Sequence, residues 1–407
     1  MVRDLTRLSA RNLLRSRVRT AITLAVIMFG VCGLILSGGF VRDIFVQLGE
    51  ALIHSQTGHA QIGQEAVFSF GSRSPERHLL EDTDDLRTYL SQQPEVKSVM
   101  ARMTFSGLLN NGKTDYAVMI DGVEPTPESE LGTFLKIVSG RMLTSADRFG
   151  AIIGDGVAHA LRLEPGDRAT ILVNTIDGAM NTLDIEVLGV FQSFSKDFDS
   201  RAMRISLEDA QSLLATPGVV KYVTELHDTA LTDTFVERVR THLRGGTIVI
   251  RDWRELNDFY GKAVELYRQQ FGFLQAMILL MVCLSVINTV NMSLVERTWE
   301  FGTMRAMGNR SMTIVGLILT ESLILGLVGA TAGVVFGVTL AMLISSIGIP
   351  MPPPPNANLG YDAFIRLDWP LVVESAFVGA FATLLAAVYP AWRTTRLSII
   401  DSLRTRE

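Results

Sequence analysis

Residues 107–114 have the glycine, lysine and threonine spacing of a nucleotide-phosphate loop and read Gly-Leu-Leu-Asn-Asn-Gly-Lys-Thr. Such a loop needs a strand before it and a helix after it, because the first amides of the helix hold the phosphates. Here an Asn-Gly pair separates two strand-like runs, 103–109 and 116–120, which is the pattern of a β-hairpin. Asp121, which imitates the acidic residue of a second nucleotide motif, follows the loop by only seven residues, too few for a crossover helix. The segment is therefore predicted to be a hairpin that binds no nucleotide.

Metal and thiol chemistry have little support in the sequence. The histidines show no metal-ligand spacing, so solvated surface positions are favoured for them. Both cysteines lie in apolar stretches and the polar region between them has none, which excludes a disulfide scaffold. These residues are His54, His59, His78, His159, His227, His242, Cys32 and Cys283.

The most informative charged residues lie in a short segment that follows 27 uncharged residues, 269–295. Residues 296–308 read Glu-Arg-Thr-Trp-Glu-Phe-Gly-Thr-Met-Arg-Ala-Met-Gly, and a second apolar stretch comes after them. A membrane-spanning helix would deliver this helix-compatible segment to the membrane surface, and the next apolar stretch would take the chain back in. A segment in that position is suited to being gripped by a partner protein.

Four membrane spans are expected to position this segment. Charged residues make up only 19% of the chain, below the quarter or so that is usual for soluble domains. Four stretches reach the ~20 residues needed to cross a bilayer; Glu321 interrupts the third and Glu374 lies near the start of the fourth. Four consecutive prolines make the loop between the third and fourth spans a stiff spacer. The expected organisation is an amphipathic helix at 1–19, spans at 20–41, 269–295, 314–347 and 371–392, a large domain at 42–268, a charged segment at 296–313, a proline-rich loop at 348–370 and a tail at 393–407.

The distribution of arginine indicates which side of the membrane each part occupies. Residues 1–19, 296–310 and 393–407 carry a net charge of +8 in 49 residues, whereas the rest of the chain carries −13. The positive-inside rule then puts both termini and the charged segment in the cytoplasm, and the large domain outside. The first apolar stretch is too long for a cleavable signal peptide. The expected location is a bacterial inner membrane, which the chain crosses several times.

Residues 1–19 form a candidate amphipathic helix, because Arg3, Arg7, Arg11 and Arg15 recur at every fourth position. An arginine stripe of this kind lies well on an anionic inner leaflet. Ordinary positive-inside anchoring explains most of this charge, and docking against a cytoplasmic partner stays open as an addition.

The large domain is predicted to be mixed α and β, because strand-like runs alternate with turn signals and short helical patterns. Strands are expected at 118–120, 151–153, 169–173, 183–190 and 247–250, and helices at 83–91, 156–161, 207–214 and 232–243. Residues 251–270 carry apolar side chains every three or four positions, which predicts one helix that continues into the second span. This helix would be either a rod that transmits force or an amphipathic helix packed on its own domain.

Polar groups within the spans are expected to serve packing. Glu321 lies near the cytoplasmic interface, where pairing with Arg305 or Arg310 is favoured over a proton relay. The third span contains Gly326, Gly329, Gly333 and Gly337, spaced so that neighbouring helices can approach closely. Few polar residues line any span, which argues against a channel for ions or hydrophilic solutes.

The segment 296–308 resembles a motif of the FtsX-like permease family, which includes MacB, LolC and LolE, of the form Glu-Arg-x-x-Glu-apolar-Gly-x-x-Arg-Ala-apolar-Gly. The large domain adds Gly-Arg-x-Leu, Ala-Ile-Ile-Gly, Leu-x-Pro-Gly-Asp and Val-x-Gly-Val-Phe in the order found in MacB-type extracytoplasmic core domains. These four pieces begin at Gly140, Ala151, Leu163 and Val187. The resemblance covers residues 1–403. It implies an α+β membrane protein with four transmembrane helices and a large mixed α/β MacB-like extracytoplasmic domain between the first and second.

The same resemblance implies a non-catalytic permease subunit of an ABC transporter without a fused ATPase domain. ATP and Mg would be bound by a partner, and no cofactor by this chain. The implied assembly joins two permease subunits, identical or homologous, with two cytoplasmic ATPase subunits; membrane lipids and a periplasmic carrier or adaptor protein are further partners, and nucleic acid is not. The motif positions that would contact the ATPase are Glu296, Arg297, Glu300, Phe301, Gly302, Arg305, Ala306, Met307 and Gly308.

The resemblance also implies mechanotransmission, in which closure of the ATPase moves the periplasmic domain without a channel open to the cytoplasm. Extraction or movement of lipoprotein or lipid cargo from the inner membrane is slightly favoured, because a stand-alone four-span permease is arranged like LolC and LolE. MacB-like export of peptides or drugs from the periplasm is an alternative. FtsX-like regulation of a periplasmic hydrolase is another, although the 227 residues of the large domain exceed what that class usually carries. The hypothesis that the chain is an enzyme would be supported by the nucleotide-like loop alone.

We predict that Lys113→Ala leaves ATP turnover of the assembled transporter unchanged, because a hairpin lacks the helix amides that hold phosphate. The measurement is the ATP hydrolysis rate of the purified complex, with substitution of the lysine in the partner's own phosphate loop as the comparison. A loss of turnover in Lys113→Ala as large as in that comparison would contradict the hairpin interpretation.

Overall fold

The computed structural model describes residues 17–69, 75–80, 84–132, 134–353 and 360–394. The amphipathic helix predicted for residues 1–19 and the tail 393–407 therefore lie almost wholly outside the described residues. The chain divides into two compact units. The helical unit takes its described residues from Met1–Phe45, Ala263–Pro350 and Asp362–Glu407, and the sheet unit takes them from Val46–Lys262 and Met351–Tyr361.

The α-helices are numbered in chain order. They are α1 Arg17–Leu52, α2 Glu65–Phe68, α3 Asp84–Ser91, α4 Pro125–Leu131, α5 Asp155–Leu161, α6 Lys196–Asp199, α7 Leu207–Leu214, α8 Thr232–His242, α9 Asp258–Glu296, α10 Thr298–Ala306, α11 Ser311–Ile347 and α12 Trp369–Arg393. A π-helical turn, Ile53–Thr57, follows α1, and 3₁₀ turns lie at Pro75–Arg77 and Thr229–Leu231.

The strands are numbered in the same way. They are β1 Ala60–Gln64, β2 Val96–Asn110, β3 Asp115–Val123, β4 Lys136–Gly140, β5 Gly150–Gly154, β6 Arg168–Asn174, β7 Met180–Gln192, β8 Ala202–Ser206, β9 Lys221–Leu226, β10 Ile248–Asp252, β11 Ile349–Met351 and β12 Tyr361–Ala363.

Four helical stretches in the described residues are long and apolar enough to cross a membrane: Arg17–Thr57, Tyr260–Glu296, Ser311–Ile347 and Trp369–Arg393. Each contains one of the four spans predicted from sequence, so the fold class of four transmembrane helices with a mixed α/β domain is confirmed. The first helix continues beyond the predicted end of its span at residue 41 and stops at Leu52.

Glycines on α11 allow close contact with α1, as the sequence predicted. A Cβ on Gly329 would lie 2.8 Å from an Ile27 methyl, and one on Gly333 would lie 2.9 Å from the Met28 carbonyl oxygen and 2.7 Å from Val31 Cβ. The surrounding core is apolar, and the Thr23 and Thr289 hydroxyls lie 2.9 Å apart between α1 and α9. Because lipid tails are as apolar as these side chains, close packing of this kind is what holds membrane helices together.

The sheet unit is built on a ten-stranded mixed sheet in the order β10-β1-β9-β2-β3-β8-β5-β7-β4, with β6 pairing with both β2 and β7. β3 pairs with β8 in parallel, and β5 pairs with β7 in parallel. The strands and helices predicted from sequence coincide with β3, β5, β6, β7, β10, α3, α5, α7 and α8. Four strands were not predicted from sequence, namely β1, β4, β8 and β9, and neither was the two-stranded β11–β12 ladder within the proline-rich loop.

The nucleotide-like loop is a β-hairpin, as predicted. β2 and β3 are antiparallel up to the pair Asn110–Asp115. The turn places Gly112 at φ +84°, where glycine is favoured. The backbone N–H groups of Lys113 and Thr114 donate to Asn111 Oδ1, at 3.0 and 2.9 Å. The amides that would face a phosphate are therefore already bonded within the turn.

The helix predicted for residues 251–270 begins later than expected. Arg251 and Asp252 belong to β10, where Asp252 pairs with Ala60 of β1. Strand pairing engages the backbone groups that a helix would need, so α9 starts only at Asp258 and then runs without a break to Glu296. Of its predicted apolar stripe, Trp253 is buried, whereas Tyr267 and Leu274 are exposed.

Surface positions were predicted for all six histidines, and this is wrong for His59, which is 1% exposed. Its Nδ1 accepts a hydrogen bond from the Leu226 amide at 3.1 Å, and its Nε2 lies 3.1 Å from the Thr229 hydroxyl. Burial lowers the pKa of His59 to about 4, so the ring is neutral near pH 7. His54, half-buried, lies with its ring centroid 5.7 Å from that of His59. Strands β1 and β9 bury His59 by a pairing that is distant in sequence.

We predict that Gly333→Ala destabilises the helical unit by about 1–3 kcal/mol, because the added methyl would be forced against α1. Gly316→Ala on the same helix is the matched control, since no neighbouring atom lies within 4 Å of its Cβ position. The measurement is thermal unfolding of the full chain in detergent. Equal unfolding temperatures for the two variants would contradict the close contact.

Candidate functional site

The segment predicted as a docking element forms a short separate helix between two long ones. α9 ends at Glu296, Arg297 leaves the helical conformation at φ −108° and ψ 11°, and α10 follows from Thr298 to Ala306. Gly308, at φ +92°, then turns the chain toward α11. A side chain is strained at that φ, so glycine suits the position. The break at Arg297 and the turn at Gly308 together define α10.

The side chain of Arg297 fixes α10 to the membrane helices. Its Nη1 donates to both carboxylate oxygens of Glu321 on α11, at 2.9 and 3.0 Å. Its Nε donates to Glu300 Oε2 at 3.1 Å, and the guanidinium lies 5.0 Å from the centroid of the Phe301 ring. Phe301 is itself buried. Arginine suits this position because its planar fork can bond two carboxylates and stack on an aromatic ring at once.

The structure gives Glu321 an arginine partner that the sequence prediction did not name. Arg305 or Arg310 was favoured because Glu321 lies near the cytoplasmic interface, whereas the structure shows Arg297 donating to both carboxylate oxygens. Because Arg297 leaves the helical conformation after α9, its side chain is directed toward α11 and reaches Glu321. The general prediction of an ion pair at Glu321 is confirmed.

A second ion pair ties the start of α1 to the end of α9. Arg19 Nη1 donates to Glu296 Oε2 at 2.6 Å. A cavity of about 270 Å³ lies among these groups. Its lining combines the charged side chains with apolar ones such as Leu294 and Ile318. Both carboxylates of the segment, Glu296 and Glu300, are thus engaged by arginines. The arrangement holds helix ends together, and that is its chemical role in this unit.

The predicted site residues separate into an inner and an outer set. Arg297, Phe301 and Gly302 are buried or half-buried against the membrane helices, whereas Ala306, Met307 and Gly308 are exposed. Met307 is 72% exposed, and so is Met312 at the start of α11. Trp299, 46% exposed, was left out of the sequence prediction because it occupies a variable position of the motif. A large aromatic side chain on a short surface helix was the available signal.

Comparisons with known proteins agree with this architecture. The model of the FtsX-like permease C-terminal matches residues 272–399, which contain the whole segment. The model of the MacB-like periplasmic core domain matches residues 20–242, more than half of the 407 residues. The chain therefore belongs to the family of FtsX-like ABC transporter permeases with a MacB-like periplasmic core domain. Members of this family are membrane proteins that serve as permeases of ABC transporters.

Three relatives illustrate the similarity. The lipoprotein-releasing system transmembrane protein LolC of Neisseria meningitidis is 22% identical over 418 residues, covering 95% of this chain and 94% of LolC. The lipoprotein-releasing system transmembrane protein LolE of Haemophilus influenzae is 21% identical over 397 residues, covering 94% and 91%. The macrolide export ATP-binding/permease protein MacB of Bdellovibrio bacteriovorus is 22% identical over 425 residues, covering 97% of this chain and 60% of MacB.

We predict that Arg297→Met destabilises the protein by about 3 kcal/mol, because it removes the guanidinium that bonds both oxygens of the Glu321 carboxylate within the helix bundle. The double variant Arg297→Met/Glu321→Leu removes both charges and should recover most of this loss. Thermal unfolding of the full chain in detergent measures both effects. Glu374→Gln, an exposed acid on α12, is the control. If the double variant is as unstable as the sum of its single variants, the ion pair does not fix α10.

Proposed function

We propose that α10 and its flanking residues are the element through which a cytoplasmic ATPase moves this permease. The observation that carries the proposal is the geometry of α10: its inner side is fixed to α11 through Arg297 and Glu321, and its outer side leaves Met307 and Trp299 exposed. A partner that presses on the outer side would therefore displace the membrane helices. The proposed coupling residues are Glu296, Arg297, Glu300, Phe301, Gly302, Arg305, Ala306, Met307 and Gly308.

The proposed orientation places α10 and both termini in the cytoplasm, in a bacterial inner membrane. The arginine-rich short segments support it, since positive charge favours the cytoplasmic side. Aromatic residues at both ends of α12 support the placement of that span: Trp369 is 82% exposed at one end, and Tyr389 is 63% exposed at the other. Such residues favour the two membrane–water interfaces.

The proposed mechanism is mechanotransmission along long helices. α9 has 39 residues, which correspond to about 58 Å at the rise of an α-helix. That length exceeds the ~30 Å hydrocarbon core, so α9 extends beyond it. ATP and Mg would bind to the partner, whose closure would press on α10. The resulting displacement of α9 and α1 would then move the sheet unit, which is proposed to lie outside the membrane.

The proposed cargo is a lipoprotein or lipid taken from the inner membrane. Relatives from lipoprotein-releasing systems, aligned over more than nine-tenths of this chain, support this class. Export of a peptide or drug from the periplasm is the second candidate, supported by a MacB relative that covers 97% of this chain. The proposed assembly contains two ATPase subunits and a second permease, identical or homologous, and a periplasmic carrier or adaptor would receive the cargo.

We predict that Met307→Glu weakens ATPase binding about tenfold or more, because a charge at the centre of an apolar contact is costly. Co-purification of the ATPase from the native membrane, followed by ATP hydrolysis with and without the permease, measures the effect. The matched control is Met180→Glu at the start of β7 in the sheet unit, where methionine is 74% exposed. Wild-type binding and stimulation in Met307→Glu would overturn the proposed role of α10.

A further inference from the structure

The C-terminal end of α1 has partners for its backbone carbonyls in an arrangement that depends on two arginines. The Leu52 carbonyl accepts from the Thr57 hydroxyl at 3.2 Å, and the Ile53 carbonyl accepts from the Gly58 amide at 2.9 Å. The Thr57 carbonyl accepts from the Gln61 side-chain amide at 3.0 Å. The carbonyls at the end of a helix have no partners within it, so each needs one from elsewhere.

Two guanidinium groups supply the partners for two more carbonyls of the π-helical turn Ile53–Thr57. Arg204 Nη2 donates to the Ser55 carbonyl at 2.9 Å, and Arg102 Nη1 donates to the Gln56 carbonyl. Both side chains are almost fully buried, at 1% and 2% exposure. Arginine is electrostatically suited to this position, because a helix carries partial negative charge at its C-terminal end. The π-helical turn that follows α1 is thus bonded to β8 and to β2.

A buried carboxylate links the two arginines. Arg102 Nη2 donates to both oxygens of Glu128 on α4, at 2.7 and 2.9 Å, and Arg204 Nη1 lies 2.9 Å from Glu128 Oε1. Burial raises the pKa of Glu128, but the charges of Arg102 and Arg204 outweigh burial and lower it, so the carboxylate is ionised. We name Arg102, Glu128 and Arg204 the carbonyl clamp.

The ladder between the two arginines holds a further buried carboxylate. β3 lies between β2 and β8, and Asp121 of β3 lies opposite Arg204 in the register of the β3–β8 ladder. Asp121 Oδ1 accepts from the Thr104 hydroxyl of β2 at 2.6 Å. The charges of the clamp are therefore balanced across three adjacent strands and one helix.

The carbonyl clamp is a costly way to fill this space, because buried ion pairs often stabilise a fold no better than apolar residues of similar volume. What charged groups give, and apolar groups do not, is a directed bond to backbone carbonyls. The geometry points to a positioning role: we infer that Arg102, Glu128 and Arg204 hold the end of the first membrane helix on the sheet, so that movement of α1 reaches β2 and β8. This inference rests on the proposed function, in which α1 moves during the ATPase cycle.

The test is hydrogen exchange of the permease assembled with its ATPase in lipid nanodiscs, with and without ATP and vanadate. The triple variant Arg102→Met/Glu128→Leu/Arg204→Met replaces the clamp by apolar side chains, and Asp121 keeps the Thr104 hydroxyl and the nearby charge of Lys221. In the wild type, nucleotide should change the exchange of residues 46–58 and of β2 and β8. In the triple variant, the response of residues 46–58 should persist, whereas the response of the strands should fall by about threefold or more.

Two further variants separate a positioning role from general stability. Arg87→Met is the matched control. Arg87 also bonds a carboxylate of the sheet unit, through two hydrogen bonds of 2.9 and 3.0 Å to Glu124. Its third bond goes to the Val99 carbonyl of β2 and not to a carbonyl near the end of α1. The Arg87→Met variant should keep the full strand response. Arg204→Lys keeps a positive charge beside Glu128 but loses the planar guanidinium that bonds the carbonyl. It should therefore reduce the strand response, and it provides this test even if the triple variant does not fold.

The outcomes distinguish the clamp from the proposed function. A strand response of wild-type size in the triple variant, or in Arg204→Lys, overturns the clamp alone. A wild-type protein whose sheet unit does not respond to nucleotide overturns the mechanotransmission proposal, and the role of the clamp with it. A response lost in the clamp variants and kept in Arg87→Met supports the inference.

Discussion

The bilayer leaves no water for backbone groups in its core, and this constraint decides where the polar chemistry of the chain can lie. Long uncharged helices satisfy their own amides and carbonyls inside the membrane, so charged groups are concentrated where the helices end. Both sites described above follow from this. Arg297 and Glu321 lie where α9 gives way to α10, and Arg102 and Arg204 bind carbonyls of the π-helical turn that follows α1.

The two sites share a physical solution. In each, a guanidinium with limited exposure bonds a carboxylate and at the same time contacts a second group: the Phe301 ring in one case and a helix carbonyl in the other. A single ammonium could not hold both partners in a fixed geometry. The consequence is a defined position for a helix end, which is what a permease that responds to a partner ATPase requires. Stability alone would be served as well by apolar packing.

The sequence predicts those features whose cause is local. Charge-free runs locate the spans, an Asn-Gly pair locates the β2–β3 hairpin, and glycines at every third or fourth position locate the contact of α11 with α1. The composition of residues 296–308 likewise indicates a short surface helix. Each of these depends on neighbours within about a dozen positions, so one segment contains the whole signal.

Features that depend on distant pairing could not be derived from the sequence. Arg102 and Arg204 meet Glu128 only because β3 brings β2 and β8 to its two sides. His59 is buried because β1 pairs with β9, which follows it by more than 150 residues. The pairing of β10 with β1 also delays the start of α9, and the break at Arg297 selects the partner of Glu321. In each case the topology of the fold brings the decisive neighbour close. The types of the residues say little about that topology.

The glycine contact between α11 and α1 limits how these helices can move. With Met28 O and Val31 within 3 Å of the Cβ position of Gly333, and Ile27 as near to that of Gly329, the two helices interlock along the axis. An axial slip of one residue, about 1.5 Å, would bring a neighbouring side chain of α11 into space that only glycine fits. Sliding is therefore blocked, whereas tilting of both helices together keeps every contact. α1 and α11 are therefore expected to move together, so that a displacement of α11 is transmitted to α1 with little sliding between them.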